Sequence, residues 1–245
     1  GGSSWNGLCG RALHAAAENG HASCVRLLCD SGARVDAASI TRGAMPLHLA
    51  AGRGQLACLQ VLLNMRAFEN AADKEKRTPL LLASRQSHAR AECLQLLIDA
   101  DADVDRSDVT GGSALAAACE DGDAAAVAVL LTASATCTAS RTSDLASPLL
   151  LAARNGHASC VELLLQSGRC NLDAPDANGA SPLLAAVRAE HAPVVSLLIA
   201  TGQVNLDACD KDLVTPLTCA FESGFTGIAD LLLGAHATAG RLQSL

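Results

Sequence analysis

Aromatic residues are almost missing from this chain, which has three Phe, one Trp and no Tyr in 245 residues. Its apolar half is mostly Ala and Leu, strong helix formers, while the β-branched and aromatic residues that favour strands are sparse. Little or no sheet is expected. Positive charge is not in surplus either: the formal net charge is −7, which argues against nucleic acid or an anionic membrane surface as partner, since both require a basic face. A local basic patch stays open. No apolar run is long enough to cross a bilayer, because the longest, from Ser113 into Ala135, is interrupted by Glu120, Asp121 and Asp123. The 11 cysteines are odd in number and form no CxxC pair, and no signal-like apolar segment precedes them. A reducing, intracellular compartment is therefore expected, the cytoplasm ahead of the nucleus. The chain also lacks a Gly-rich phosphate loop, a Ser/His/Asp set and a metal-ligand cluster, so no catalysis, cofactor, metal or small-molecule substrate is expected. It begins Gly-Gly-Ser-Ser rather than with Met, and on that ground one region of a longer protein is expected.

What the chain has in abundance is repetition. Ser147–Asp173, SPLLLAARNGHASCVELLLQSGRCNLD, is its plainest unit. Ser147 can accept a backbone N–H as a helix cap, and Pro148 sits where its missing N–H costs nothing. Gly156 ends this first helix, the apolar run Cys160–Leu165 forms a second, and Gly168 ends that one in a left-handed conformation. Equivalent starts fall at Arg11, Met45, Thr78, Ser113, Ser147, Ser181 and Thr215, spaced by 33 to 35 residues. Two residues after each start stands a Leu, and five after it an Ala, the small residue that close packing of neighbouring helices requires. Nine after the start comes a turn Gly, replaced only by Ser87 and Glu190, where a strained or differently shaped turn is expected. Each second helix carries a Leu-rich stripe, displaced in unit three by an insertion placed in residues 87–91. Helices this short cannot bury such a stripe alone, so each unit needs its neighbours and the core is continuous, within a single domain covering 1–245.

The segments RALHAAAENGHASCVRLLCDSGARVDA, MPLHLAAGRGQLACLQVLL, TPLLLAS and TPLTCAFESG, with the unit above, resemble the ankyrin repeat, whose pattern runs T-P-L-H-x-A, then G-H, a Leu-rich helix and G-A-D-V-N-A. Units one and four depart from it with Ala12 and Ala114 in place of Pro. The resemblance implies an all-α solenoid of stacked helix-turn-helix units with projecting hairpin loops. It further implies a scaffold that binds a protein or peptide on its hairpins and first helices, as in a recruiting region of a larger protein such as the ankyrin-bearing ubiquitin-ligase adaptors. The alternative is the regulatory or substrate-recruiting arm of an enzyme, of acyltransferase or kinase type, whose catalytic domain lies outside this chain. Unit four, rich in Ala and Ser, buries less area per residue and is expected to be the least stable joint.

Conspicuous residues fall on scaffold positions. His14 and His48 match the template's first His; His21, His88, His157 and His191 match its G-H position; His236 lies in the last helix. Equivalent positions one repeat apart cannot share a Zn ion held at about 2 Å, so a hydrogen-bonding role around the turns is expected. Cys24, Cys58, Cys93 and Cys160 share one position and act as small hydrophobes. Asp73, Asp108, Asp176 and Asp210 each precede a start by five residues and are expected to brace the hairpins. The positions left free by the template form the candidate partner-binding set: Arg42, Arg53, Lys74, Glu75, Arg77, Arg85, Glu120, Asp121, Asp144, Arg154, Asn155 and Arg188. Units two and three read as locally basic, so a partner with an acidic segment is expected to be steered there by Arg42, Arg53, Lys74, Arg77 and Arg85.

Overall fold

Prolines set the starts of five of the repeats' first helices. In the computed structural model, which describes residues 2–85, 90–138 and 141–243, with side chains between 8 and 237, Pro46, Pro79, Pro148, Pro182 and Pro216 each occupy the first turn. Thr78, Ser147, Ser181 and Thr215 cap these turns, each side-chain oxygen accepting the N–H three residues on at 3.2 Å. Ser113 does the same for Ala116 without a proline.

The described residues form α1 (Gly2–Glu18), α2 (Ala22–Asp30), α3 (Pro46–Gly52), α4 (Leu56–Asn64), α5 (Pro79–Ser84), α6 (Arg90–Asp99), α7 (Ala114–Asp121), α8 (Ala124–Thr132), α9 (Pro148–Arg154), α10 (Ala158–Ser167), α11 (Pro182–Arg188), α12 (Ala192–Ala200), α13 (Pro216–Glu222) and α14 (Thr226–Gln243). They contain one isolated bridge, Ser107–Ser113, and no sheet. The fold is thus all-α, an ankyrin-type solenoid of helix-turn-helix units. Helix α1 begins nine residues before the expected start at Arg11, because unit one has neither a capping side chain nor a proline there to stop the helix from continuing upstream. The insertion expected in 87–91, and the irregular turn at Ser87, fall mainly on residues outside the described ones.

The chain divides into two compact units, residues 1–117 with 132–135, and residues 118–131 with 136–245. In the first, α1, α3 and α5 pack side by side, and α2, α4 and α6 form a second row. In the other, α9, α11 and α13 stack in the same way beside α10, α12 and α14. The Ala five residues after each start is buried in every repeat, from Ala16 to Ala220, and of the Leu two residues after each start only Leu217 is not fully buried. In the second helices the middle residue of each stripe carries the core: Leu62, Leu97, Leu130, Leu164, Leu198 and Leu232 are completely covered. Cys58, Cys93 and Cys160 are buried as small hydrophobes, whereas Cys24 is exposed on α2.

The turn glycines do two jobs. Gly122 and Gly156 hold φ values of 78° and 76°, in the left-handed region that favours glycine. A Cβ on Gly122 would also stand 2.4 Å from the His157 ring, and one on Gly156 would stand 2.6 Å from that of His191. The space is needed because His157 Nε2 reaches over the preceding turn to Glu120 O at 3.1 Å, and His191 Nε2 to Arg154 O at 3.2 Å. The G-H motif is therefore a contact between repeats: the Gly of one unit makes room for the His of the next. Glu190, at the same turn of unit six, takes φ 58°, the strained geometry expected of a residue with a Cβ.

Candidate partner-binding surface

Four of the hairpins that lead into a first helix are held at the base by a carboxylate, buried at Asp73, Asp108 and Asp210 and half-buried at Asp176. Asp73 Oδ1 accepts the N–H groups of Glu75 and Arg77, both at 2.9 Å, and Asp108, Asp176 and Asp210 repeat the pattern two and four residues on. Burial pushes Asp73 up, but the Arg77 guanidinium at 2.7 Å and these N–H groups outweigh it and leave the carboxyl below its ordinary range. Asp108 follows the same balance through Thr110, Gly112 and Arg85. Asp210 is held low first by the Val214 N–H, against some desolvation, with Arg188 adding to it.

Two hairpins are built differently. Where the template asks for Asp, Ile40 and Thr142 stand instead, and the closing bond spans one residue more, from Ser39 N–H to Ala44 O at 2.8 Å and from Arg141 N–H to Ala146 O at 3.3 Å. In the second case ion pairs join the loop to α7 and α9: Arg141 bonds Glu120 at 3.1 Å and Asp144 at 3.4 Å, and Asp144 also meets Arg154 at 3.6 Å.

Neighbouring hairpins are joined by main-chain bonds. Lys74 N–H donates to Arg42 O and Val109 N–H to Glu75 O, both at 3.0 Å; in the other unit Ala177 N–H donates to Asp144 O at 2.7 Å and Lys211 N–H to Asn178 O at 3.0 Å. Lys74 Nζ adds two bonds of 2.8 Å to the carbonyls of Ile40 and Thr41.

Most of the expected binding residues are thus engaged with the array itself. Arg53 pairs with Glu18 at 2.6 Å, Arg77 with Asp73 and with Glu75 at 2.8 Å, and Arg85 with Asp108 at 2.9 Å. Arg188 contacts Asp210, the same device as Arg85–Asp108 three repeats later. Asn155 Nδ2 donates to Glu120 O at 3.1 Å, and Asp121 lies exposed at the end of α7. Arg42 differs from the other arginines of this set: it is exposed at the tip of its hairpin and has no ion pair among the described residues.

Sequence reasoning passed over the apolar side chains at the tips. Ile40 is 86% exposed, Leu213 is 78% exposed, and Val109 and Leu145 are also open. The residue two before each start is left-handed in every described hairpin: Gly43, Lys76, Gly111, Leu145, Gly179 and Leu213. Glycine at three of these places was the available signal, since it marks the other three as conformations that a side chain adopts at a cost.

Beside the first of these hairpins lies a groove of about 1010 Å³, lined by Leu8, Arg11, His14, Ile40, Arg42 and Leu49 among others. His14 crosses its floor, with Nδ1 2.6 Å from Gly10 O and Nε2 3.0 Å from Ala44 O. His48, one repeat on, is wholly buried, its Nδ1 accepting the Met45 N–H at 3.1 Å and its Nε2 donating to Arg77 O at 3.1 Å. Burial holds its imidazole below the ordinary value, and the Met45 N–H leaves no place for a proton on Nδ1. No group of three or more His, Cys, Asp or Glu among the described residues is arranged to hold a metal ion, and no described helix is long and apolar enough to cross a membrane.

A family model described as ankyrin repeats, in three copies, matches residues 13–108, 47–141, 89–176 and 149–241. Among solved structures, the human ASB11 ankyrin repeat domain is similar at 25% identity and TM-score 0.77, covering 91% of this chain and 96% of that one. The ankyrin repeat domain of Bcl-3, titled a unique member of the IkappaB protein family, is similar at 27% identity and TM-score 0.75, covering 90% of this chain and 97% of that one.

Proposed function

The chain belongs to the ankyrin-repeat family, a non-catalytic protein–protein interaction scaffold, and on that premise we propose that it binds an acidic peptide segment of a partner protein in the groove between α1 and the hairpin before α3. The observation that carries this reading is the combination at that groove of Arg11 and Arg42, neither with an ion pair among the described residues, with the open side chains of Ile40 and Leu8. Unpaired cations steer an acidic segment and an exposed aliphatic anchors it. Arg53, Arg77 and Arg85 support the surface differently, by holding Glu18 and the Asp73 and Asp108 braces in place, so their charges are already spent. Lys76, exposed on the neighbouring hairpin, extends the positive field.

The reading is tested by selecting from a random peptide library on the immobilised chain, then measuring the selected peptides by fluorescence anisotropy. Acidic sequences with an apolar anchor are expected. Arg42→Glu should weaken them about tenfold, about 1.4 kcal/mol, with Ile40→Ala lowering affinity by a similar factor and added salt weakening the wild type more than the Arg42→Glu variant. Neutral or basic selected peptides, or affinities indifferent to Arg42→Glu and to salt, would overturn it.

A further inference from the structure

Two thiols lie near the C-terminal end of α10. Cys137 lies in the loop that leaves α8, and Cys170 in the loop that leaves α10. Both turn to the C-terminal end of α10. Cys137 Sγ is 4.0 Å from Ser167 Oγ, Cys170 Sγ is 3.7 Å from Leu164 O, and Ser167 Oγ donates to that same carbonyl at 2.6 Å. The two thiols thus converge on one hydroxyl–carbonyl pair, Ser167 Oγ and Leu164 O. Cys137 is buried and Cys170 half-buried, so the Cys170 residue is the more accessible of the two.

We propose that Cys137 and Cys170 form an oxidant-sensitive dithiol, converted by hydrogen peroxide into a disulfide that staples the loop after α8 to the loop after α10. Cys170 Sγ, as the thiolate, attacks one peroxide oxygen; the O–O bond breaks, the departing hydroxide takes the thiol's proton as water, and Cys170 becomes a sulfenic acid. Cys137 Sγ then attacks the Cys170 sulfur, the S–O bond breaks, and a second water leaves with the Cys137 proton. Two thiols and one peroxide give one disulfide and two waters; the sulfurs lose the two electrons that the peroxide oxygens gain. The neighbouring Cys137 thiol and burial keep the Cys170 thiol well above the ordinary range, so little thiolate is present near neutrality. The pair therefore reacts more slowly than an open thiol such as Cys209, and its rate climbs with pH. The bond closes residues 137–170 into a loop that links the segment after α8 to the segment after α10.

The test treats the intact chain with hydrogen peroxide at several pH values, blocks the remaining thiols under denaturing conditions, and maps tryptic peptides without reduction. Segment 107–141, with Cys119 still blocked, should be joined to segment 170–188, and the joined species should vanish on reduction. Its rate should rise about tenfold per pH unit. Cys137→Ser should abolish it and leave a Cys170 sulfenic acid that dimedone captures, while Cys119→Ser should leave the joined species unchanged. Should Cys137→Ser fail to fold, the wild-type map decides alone. Recovery of both thiols singly blocked while Cys24 and Cys209 oxidise, or linkage of Cys170 to another cysteine, would overturn the proposal.

Discussion

Substituting Gly156 by Ala tests whether the inter-repeat Gly–His contact holds the stack. Two costs are expected. A side chain at φ 76° carries about 1–2 kcal/mol of left-handed strain. The new Cβ would stand 2.6 Å from the His191 ring, which must move and give up its 3.2 Å bond to Arg154 O, a loss of about 1 kcal/mol. Together they predict about 2–3 kcal/mol of destabilisation, measured by guanidinium denaturation followed by circular dichroism. The contact term is separable. In His191→Ala the bond is lost but the space opens, so adding Gly156→Ala should then cost only the backbone strain, and the two changes should couple by about 1 kcal/mol in a double-mutant cycle. Glu190→Gly supplies the opposite sign: the following unit has Phe225 at the His position, and relief of strain at φ 58° should stabilise by about 1 kcal/mol. A Gly156→Ala variant within 0.5 kcal/mol of the wild type, or strict additivity with His191→Ala, would refute the reasoning.

Leu213→Gly should raise the denaturation midpoint, since it relieves left-handed strain of about 1 kcal/mol at a side chain that is open to solvent; a loss of stability would show that Leu213 is packed. Stability should also fall with acid in two stages. His48 is held below its ordinary 6.5, so its contribution is complete above that pH and lost as pH falls toward the lower folded value; His48→Gln should flatten this stage in a pH series of unfolding free energies. Asp73 is held below 3.8, so its contribution is complete above that and disappears at lower pH; Asp73→Asn should remove part of the second stage and lower stability at neutral pH as well. Amide exchange should be fastest among the repeats in residues 113–138, where α7 buries little beyond Ala and Cys side chains; uniform protection across the repeats would contradict this.

The fold was legible because every local signal occurs in phase several times. The Ser and Thr caps, the prolines behind them, the Ala that lets first helices touch and the Asp that braces the hairpin all depend on neighbours a few residues away, so spacing alone reveals them. The start of α1 was not legible, since Arg11 and Ala12 carry no stop signal and a helix without one continues. Nor was the identity of the spent charges. Arg53 and Arg85 look free in the sequence, and only the stacking brings Glu18 and Asp108, 35 and 23 residues away, to their guanidinium groups. The left-handed places of Lys76, Leu145 and Leu213 were half visible through Gly43, Gly111 and Gly179, but the eye follows charge before conformation. The Cys137–Cys170 pair escaped for the opposite reason: it falls one residue short of the repeat period, so no equivalent-position comparison aligns the two thiols.

The main-chain bonds from hairpin to hairpin set a ruler for whatever lies across them. They use N–H and C=O groups that every residue at those places supplies, Lys74 as well as Val109 or Ala177, so the tip side chains can change without altering the interval between tips. Packed helices stand about 8–10 Å apart, and an extended peptide advances about 3.3 Å per residue. A strand-like ligand crossing successive hairpins within either unit therefore brings every third residue over a tip. Its recognition would be written in a three-residue reading frame, with the two intervening positions left to solvent.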